Sequence, residues 1–284
     1  MIQLSKQAVP FSFFLAFIIA AMLSGCAGHK KGAVEPVKTV FGKDSLKGYL
    51  PAKALPDSIA LLPPPPKAGS VAYALDEEFS KKSLALRDTP AWALAKLDAD
   101  KSFPNAAGTF SCALNAPVNE QDTPRLYALL RRTLSDAGAS TDAAKKQYQR
   151  PRPFIVNQQP TCTPEEQERM AKEGSYPSKH NAVGMAWALI FAEISPEQAD
   201  AVLARGQAYG LSRMICNAHW HSDTLNGRYL GAYTLAVLHS DPEFRDDLEA
   251  AGDELKAVRA KGLKPTRDCQ AEKSGMDLQQ SLYR

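Results

Sequence analysis

Residues 174–194 read GSYPSKHNAVGMAWALIFAEI, and this stretch decides the fold class. Its second part is almost entirely apolar and carries, at helical spacing, Ala182, Met185, Leu189 and Ile190. A helix that is apolar on every face is buried by other elements. The stretch therefore predicts a helix at the centre of the domain.

Helix signals continue on both sides of this stretch. Thr123 is an N-cap followed by proline, and the leucines after it recur at spacings of three and four. A second helix is expected from Thr141 until prolines stop it at Pro151. Downstream, a capping box at Ser195 opens a fourth helix, and residues 227–239 form a fifth. Because alternating strand patterns are almost absent, the sequence predicts an all-α helical bundle.

The composition is that of a globular protein. The 284 residues are 44% hydrophobic and 23% charged, which suffices for one large domain or two small ones. This excludes a collagen-like, mucin-like or wholly disordered chain. Basic and acidic residues number 34 and 31 and are mixed along the chain, so the net charge is only +3. We therefore expect no nucleic-acid partner.

The N-terminal residues resemble a bacterial lipoprotein signal. Residues 11–23 are apolar but too short for a transmembrane helix, which needs about 20 residues. Residues 23–26, LSGC, resemble the lipobox, in which Cys26 is lipidated and becomes the mature N-terminus. A plain secretory signal is the alternative. We expect an exported protein, anchored by lipid to the periplasmic face of the cell envelope. Ala27, in place of an inner-membrane retention aspartate, favours the outer membrane.

The chain divides into five predicted parts. These are a signal peptide over residues 1–25, a tether over 26–50, a proline-rich extended segment over 51–70, a helical domain over 71–250 and a C-terminal tail over 251–284, which is expected to be solvated after Pro265. Four consecutive prolines at 63–66 force the extended conformation. The two leucines before them indicate that this segment lies along the domain surface.

Four cysteines remain besides Cys26, namely Cys112, Cys162, Cys216 and Cys269. In an exported protein they predict two disulfides, with three pairings open. Zinc is the competing use, but no two of them have the spacing of two intervening residues that is typical of zinc sites.

Three short segments carry chemistry, and the first is Lys145-x6-Arg152-Pro153. Prolines on both sides hold Arg152 in a rigid extended piece, from which it can converge with Lys145. The ammonium of Lys145 and the planar guanidinium of Arg152 together suit the binding of a phosphoryl group. The alternative is that both side chains are simply solvated near a helix end.

The second segment is the loop before the central helix. Ser178 lies at an N-cap position, and its hydroxyl and the free backbone N–H groups are expected to face outward. A helix N-terminus is an anion site, and a bound phosphate would favour the protonated form of His180 in the first turn. An ordinary capped helix with a surface histidine is the alternative.

The third segment contains Arg213, His219 and Asp223. The histidine and the aspartate are spaced i,i+4, so on a helix the carboxylate can hold one imidazole nitrogen. That contact fixes the tautomer and leaves the other nitrogen as a nucleophile. Arg213 supplies a second guanidinium group that can bind an oxyanion.

Together the segments resemble the phosphatidic acid phosphatase type 2/vanadium haloperoxidase superfamily. Its signature is Lys-x6-Arg-Pro, Pro-Ser-Gly-His and Ser-Arg-x5-His-x3-Asp, in this order. From about residue 49 to 248 the chain looks like a class A bacterial non-specific acid phosphatase. The flanking stretches that carry this resemblance are LLPPPP at 61–66, FSCAL at 110–114, RPF at 152–154, GSYPS at 174–178 and SRMIC at 212–216. The resemblance implies a helical bundle of that superfamily.

The resemblance also implies an acid phosphatase that needs no metal or other cofactor. It would hydrolyse small phosphomonoesters through a phosphohistidine, with transfer to other alcohols allowed. His219 would attack phosphorus and Asp223 would orient it, while His180 would protonate the leaving alcohol and then activate water. The implied phosphate-binding residues are Lys145, Arg152, Ser178, Lys179 and Arg213.

Lys179 departs from the family pattern, which has glycine at this position. Glycine lets the backbone approach the phosphate without a Cβ, whereas lysine adds bulk, and strain if its φ is positive. We expect reduced or retuned turnover. A catalytically impaired lipoprotein that binds phosphate or phosphorylated ligands is the alternative.

Two further alternatives remain open. Residues 219–223, HWHSD, also form a metal-binding string, although a helix would place 219 and 221 on different faces. A vanadate-dependent haloperoxidase would use the same oxyanion pocket, but the flanking segments argue against it. A homo-oligomer is left open as well.

Overall fold

Helices make up the regular structure of residues 47–284, the part of the chain that the computed structural model describes, and no strand occurs within it. The α-helices in chain order are α1 (Ser58–Leu61), α2 (Val71–Leu84), α3 (Pro90–Ala99), α4 (Ser111–Leu114), α5 (Pro124–Ala139), α6 (Asp142–Tyr148), α7 (Pro153–Val156), α8 (Gln167–Ala171), α9 (Lys179–Ile194), α10 (Ala199–Ile215), α11 (His221–Leu238), α12 (Pro242–Ala260) and α13 (Cys269–Gln279). Short 3-10 helices occupy Ala52–Ala54, Ala107–Phe110, Pro164–Glu166, Pro196–Gln198 and Gln280–Tyr283. The predicted all-α class is confirmed. The signal peptide, the lipidation site at Cys26 and most of the tether lie outside the described residues.

Helix α9 lies at the centre, as its apolar composition predicts. It packs between α10 and α11 and also contacts α5 and α12. The Trp187 side chain is fully buried, and its indole N–H donates to the Leu130 carbonyl oxygen at 3.2 Å. The contact with α11 needs a glycine, because a Cβ at Gly231 would lie 2.3 Å from the Ala182 carbonyl oxygen.

Three of the five predicted helix starts are confirmed, but the capping box at Ser195 is wrong and the helix predicted over 227–239 begins earlier, at His221. Helix α5 begins at Pro124, and α6 ends at Tyr148, before the prolines. The Ser195 side chain makes no cap hydrogen bond and instead donates to the Glu197 carboxylate at 3.0 Å. A 3-10 turn over Pro196–Gln198 therefore separates Ser195 from α10.

The C-terminal residues form part of the domain rather than a solvated tail. Helix α12 continues through position 250, and its Ala251, Leu255 and Val258 side chains are buried in the main core. Helix α13 packs against α3 and α10, and Leu282 beyond it is buried. The domain predicted over 71–250 therefore extends to the C-terminal helix.

The four cysteines form two disulfides, which selects one of the three pairings that the sequence leaves open. Cys112 bonds to Cys269 and ties the start of α13 to α4. Cys162 bonds to Cys216, which follows α10 directly. Both bonds therefore fix segments that lead into the candidate site or support it.

The proline-rich segment predicted over 51–70 is extended only in its second half, because a 3-10 turn and α1 precede it. Leu62 is buried beside Tyr176, whose hydroxyl donates to the Pro63 carbonyl oxygen. The extended part thus lies on the domain surface, as predicted, against the loop that precedes α9. Between residues 47 and 284, no helix has the length and apolar character required to cross a bilayer.

Candidate active site

The three predicted segments meet at one cavity of about 360 Å³. Its lining includes six of the eight side chains with predicted roles, namely Lys145, Arg152, Lys179, His180, Arg213 and His219. Ser178 and Asp223 lie behind this lining and are fully buried. The cavity is thus rich in cations and contains both histidines.

Hydrogen bonds define the tautomer of His219. Its Nε2 lies 3.2 Å from Arg152 Nη1, and a guanidinium can only donate, so Nε2 carries a lone pair. The proton is then on Nδ1, which donates to Asp223 Oδ2 at 3.3 Å. Burial and the charges of Arg152 and Lys145 hold the pKa of His219 well below its usual 6.5. The ring is therefore neutral, with an unprotonated nitrogen at the cavity.

The sequence suggested that i,i+4 spacing on one helix brings Asp223 to His219. In the structure the contact has a different origin. Helix α11 begins at His221, and His219 precedes it. Asp223 in the first turn reaches back and accepts a hydrogen bond from the Trp220 backbone N–H at 2.9 Å. The same carboxylate oxygen accepts from His219, so the start of the helix positions the pair.

The second oxygen of Asp223 is held by Arg150, a residue that the motifs do not include. Arg150 Nη1 donates to Asp223 Oδ1 at 2.7 Å, and its Nη2 donates to Asp76 at 2.6 Å. All three side chains are buried. Arg150 stands directly before Pro151, in the same rigid turn as Arg152, and that placement was the available sequence signal.

His180 is buried in the first turn of α9. Its Nε2 lies 2.8 Å from the Asp98 carbonyl oxygen, which can only accept, so Nε2 carries a proton and Nδ1 remains for chemistry. Burial, with the charges of Lys101 and Arg213, lowers the pKa of His180 well below 6.5. Proton donation by this ring therefore requires acid pH or a bound anion.

A buried network holds Asp98 in place. Its carboxylate accepts two hydrogen bonds from Arg205 and one from Ser212, at 2.7 Å. Side chains of α13 complete the network, since Gln279 donates to the Ser212 hydroxyl at 2.9 Å and Glu272 pairs with Arg205 at 3.2 Å. The C-terminal helix thus supports the residue that orients His180.

The cations differ in how far their hydrogen bonds are satisfied by the protein. Lys145 Nζ donates to the Gly174 carbonyl oxygen at 2.7 Å, and Arg152 Nε donates to the Met170 carbonyl oxygen at 2.8 Å. Arg213 is buried, and its Nε and Nη1 have no hydrogen-bond partner within residues 47–284. Buried cationic donors without partners are costly. Both donors of Arg213 are the type of group that hydrogen-bonds to an anion.

The Ser178 hydroxyl was expected to face outward, and this prediction is wrong. It is fully buried, and its hydroxyl oxygen accepts from the Asn181 backbone N–H at 3.4 Å and from the Asn181 side chain at 3.0 Å. Its role in the structure is to cap α9 and thereby orient the first turn, including the backbone N–H groups of Lys179 and His180.

Lys179 occupies the position of the motif glycine without backbone strain. It is the first residue of α9 and is not among the described residues with positive φ. Its Nζ lies 2.8 Å from Asp142 Oδ1 at the cavity wall. The added side chain therefore narrows the cavity and contributes a paired charge. Lys179 does not adopt the strained left-handed backbone conformation considered above.

The metal-binding interpretation of residues 219–223 does not match the geometry. The His221 ring stacks on Phe79 with a centroid distance of 4.0 Å, while His219 faces the cavity. Asp223 is committed to Arg150, Trp220 and His219. Within residues 47–284, no group of three or more His, Cys, Asp or Glu side chains is arranged to hold a metal ion.

Comparison with known proteins agrees with this geometry. The PAP2 superfamily profile matches residues 126–246, which include all three segments. A non-specific acid phosphatase of Providencia stuartii is 40% identical over 228 residues, covering 80% of this chain and 92% of that protein. One of Salmonella typhimurium is 42% identical over 195 residues (68% and 78%), and an acid phosphatase of Zymomonas mobilis is 37% identical over 209 residues (74% and 79%).

Proposed function

The chain belongs to the PAP2 superfamily, among the bacterial non-specific acid phosphatases, and on that premise we propose that it hydrolyses phosphomonoesters with His219 as nucleophile. One observation carries the proposal. A neutral His219 presents an unprotonated Nε2 to a cavity in which buried Arg213 has two donors without partners in the described part of the chain. This arrangement suits a phosphoryl group, because attack at phosphorus and charge neutralisation are provided at the same place.

The first step breaks the ester bond. The Nε2 lone pair of His219 attacks phosphorus, the P–O bond to the alcohol breaks, and the alcohol oxygen takes the proton from His180 Nδ1. The product on the enzyme is a phosphohistidine. Asp223 stabilises the charge that develops on the His219 ring through the hydrogen bond at Nδ1.

The second step restores the enzyme. Neutral His180 accepts a proton from water, the water oxygen attacks phosphorus, and the P–N bond to His219 breaks, which releases phosphate. Another alcohol in place of water would give phosphate transfer. In both steps Lys145, Arg152 and Arg213 surround the equatorial oxygens, where transition-state charge accumulates, with the first backbone N–H groups of α9.

The test is hydrolysis of p-nitrophenyl phosphate by the purified chain, across pH and with chelator present, beside His219→Ala. We expect chelator-resistant turnover at acid pH that the substitution abolishes. Quenching with alkaline detergent during turnover should trap a phosphate on the wild type that is stable to base and lost in acid, and none on His219→Ala. A folded wild-type protein that binds phosphate without turnover would favour the binding lipoprotein, and peroxide- and vanadate-dependent halide oxidation would favour a haloperoxidase.

We also propose that the protein is a lipoprotein of the cell envelope. The lipobox-like LSGC at residues 23–26 supports this, and two disulfides are typical of an oxidising compartment. Labelled palmitate should enter the wild type and not Cys26→Ser, and membrane fractionation should recover the label with the outer membrane. Label in the variant would contradict lipidation at Cys26. A homo-oligomer stays a prediction, which the solution mass of the purified protein decides.

A further inference from the structure

Three cations that line the cavity take no part in the proposed reaction, and two of them, Arg169 and Lys179, pair with carboxylates. Lys101 follows α3 and lines the cavity with His180 and Arg213. Its side chain is half-buried, and no hydrogen bond or ion pair to its ammonium is formed within the described part of the chain. A partly desolvated ammonium without a partner is a candidate ligand contact.

The acidic groups near Lys101 are committed elsewhere. Asp100 accepts hydrogen bonds from the Ser102 backbone N–H and hydroxyl, at 2.8 and 2.6 Å. Glu166 pairs with Arg169 at 2.8 Å. The charge of Lys101 therefore remains available at the cavity, unlike that of Lys179, which pairs with Asp142.

Lys101 lies in the cavity wall together with His180. It lies three residues after Asp98, whose carbonyl oxygen accepts from His180, the proposed proton donor to the leaving alcohol. Among charged side chains, Lys101 has the largest effect on the pKa of His180, whereas Arg152 has the largest effect on that of His219. Lys101 also lowers the pKa of His219, though less strongly than Arg152 does, so its charge acts on both histidines of the cavity and most on His180.

The surroundings of Lys101 favour a bound anion. Burial and the charges of Arg213, Arg169 and Lys179 lower the pKa of Lys101 to about 7, against an opposite effect of Glu166. An anion beside the ammonium would relieve this repulsion. The cavity volume of about 360 Å³ is in the range of small-molecule sites, so it has room for a leaving group beyond the phosphoryl group.

We propose that Lys101 forms a second anion subsite on the leaving-group side, which selects phosphate compounds whose leaving group carries a carboxylate or a further phosphate. The inference rests on the proposed phosphatase function and adds a substrate class to it. The Lys101 ammonium donates a hydrogen bond to the leaving group's anion, and no further bond is made or broken. It acts on specificity, and the chemistry at phosphorus is unchanged.

The experiment compares kcat/KM of three substrates in the full chain. Glycerol 2-phosphate has a neutral leaving group, 2-phosphoglycerate replaces one of its hydroxymethyl groups with a carboxylate, and pyrophosphate has phosphate as the leaving group. The variants are Lys101→Met and Lys101→Arg. The matched control is Lys172→Met, which removes an exposed lysine of the neighbouring region that pairs with Glu168.

Relative to glycerol 2-phosphate, Lys101→Met should lower kcat/KM for the anionic substrates ~10-fold, as expected for loss of one nearby unit charge. Lys101→Arg should retain most of the preference, and Lys172→Met should retain all of it. A loss confined to 2-phosphoglycerate or to pyrophosphate identifies the anion that the subsite takes.

If Lys101→Met lowers kcat/KM equally for all three substrates, or for none of them, the proposed second anion subsite is refuted. A wild type that hydrolyses none of them would refute the proposed phosphatase instead. In that case, calorimetry measures the affinities of the wild type and Lys101→Met for 2-phosphoglycerate and glycerol 2-phosphate. A subsite at Lys101 predicts that the substitution weakens binding of 2-phosphoglycerate relative to glycerol 2-phosphate, and an unchanged ratio of the two affinities would refute it.

Discussion

Replacing Asp223 with asparagine exchanges one oxygen for an NH2 group and leaves the shape of the site intact. The carboxylate accepts from three donors, namely Arg150 at 2.7 Å, Trp220 at 2.9 Å and His219 at 3.3 Å. An amide has a single acceptor oxygen, so whichever way it is turned its NH2 group faces a donor. No orientation of the amide in Asp223→Asn preserves both the Arg150 contact and the His219 tautomer.

The orientation that keeps the charge-assisted Arg150 hydrogen bond turns the NH2 group toward both His219 and the Trp220 N–H. We expect this orientation, because hydrogen bonds to charged groups are stronger than those to a neutral N–H. The ring must then accept at Nδ1 and carry its proton on Nε2, opposite Arg152 Nη1 at 3.2 Å. The lone pair that attacks phosphorus is lost in this tautomer. We expect kcat/KM for p-nitrophenyl phosphate to fall ~10³–10⁴-fold, the size known for the same exchange beside other catalytic histidines.

The exchange also removes a buried charge-assisted hydrogen bond, for which about 3 kcal/mol of stability is a reasonable magnitude. For a domain of this size that lowers Tm by roughly 6–12 °C. Asp76→Asn is the matched control, because Asp76 pairs with Arg150 at 2.6 Å and does not touch His219. It should lower Tm similarly and keep kcat/KM within about tenfold. If Asp223→Asn retains more than a tenth of wild-type activity, or if both variants lose activity equally, the tautomer argument fails.

Three further predictions concern other parts of the site. Lys179→Gly, which opens the cavity wall and frees Asp142, should change turnover and phosphate affinity severalfold, and unchanged values would show that Lys179 does not tune the site. Because the pKa of His180 is lowered well below 6.5 and its protonated form is the acid, kcat/KM should fall as pH rises through that pKa, and a profile flat from pH 5 to 8 would contradict the assignment. Cys269→Ser, which frees Cys112, should lower stability by about 2–5 kcal/mol in thermal unfolding, and an unchanged Tm would show that α13 holds its place without the bond.

The main features of the fold could be predicted from local patterns. The central position of α9 follows from its apolar composition, and the start of α5 follows from the Thr123-Pro124 pair. The burial of α12 beyond position 250 was missed, although Ala251, Leu255 and Val258 recur at helical spacing. The packing of α13 could not be predicted, because this helix has few apolar side chains and is fixed by the disulfide at Cys269 and by polar contacts such as that of Gln279. Partners that lie far apart in the sequence leave no periodicity to detect.

The residues of the candidate site likewise include some that could be predicted from the sequence and some that could not. The convergence of Arg152, His180 and His219 on one cavity could be expected from the family resemblance, because the three segments of its signature are present in order. Spacing within each segment does not by itself bring the segments together. Arg150 and Lys101 were missed. The role of Arg150 depends on Asp76, which α2 brings from a distant part of the chain, and that of Lys101 depends on where α3 ends against α9. The sequence marks Arg150 only by its place before Pro151, and tertiary contacts are needed to identify the roles of both residues.

The network around Asp98 ties the assembly of the site to the order of synthesis. Its partners Arg205 and Ser212 are themselves held by side chains of α13, which leave the ribosome long after α9. Until position 279 has been made, the carbonyl group that orients His180 lacks its complete support. A prematurely terminated chain therefore contains all the motif residues without a fixed proton donor. We expect a chain that ends before residue 279 to hold Asp98, and with it His180, less firmly than the full chain does.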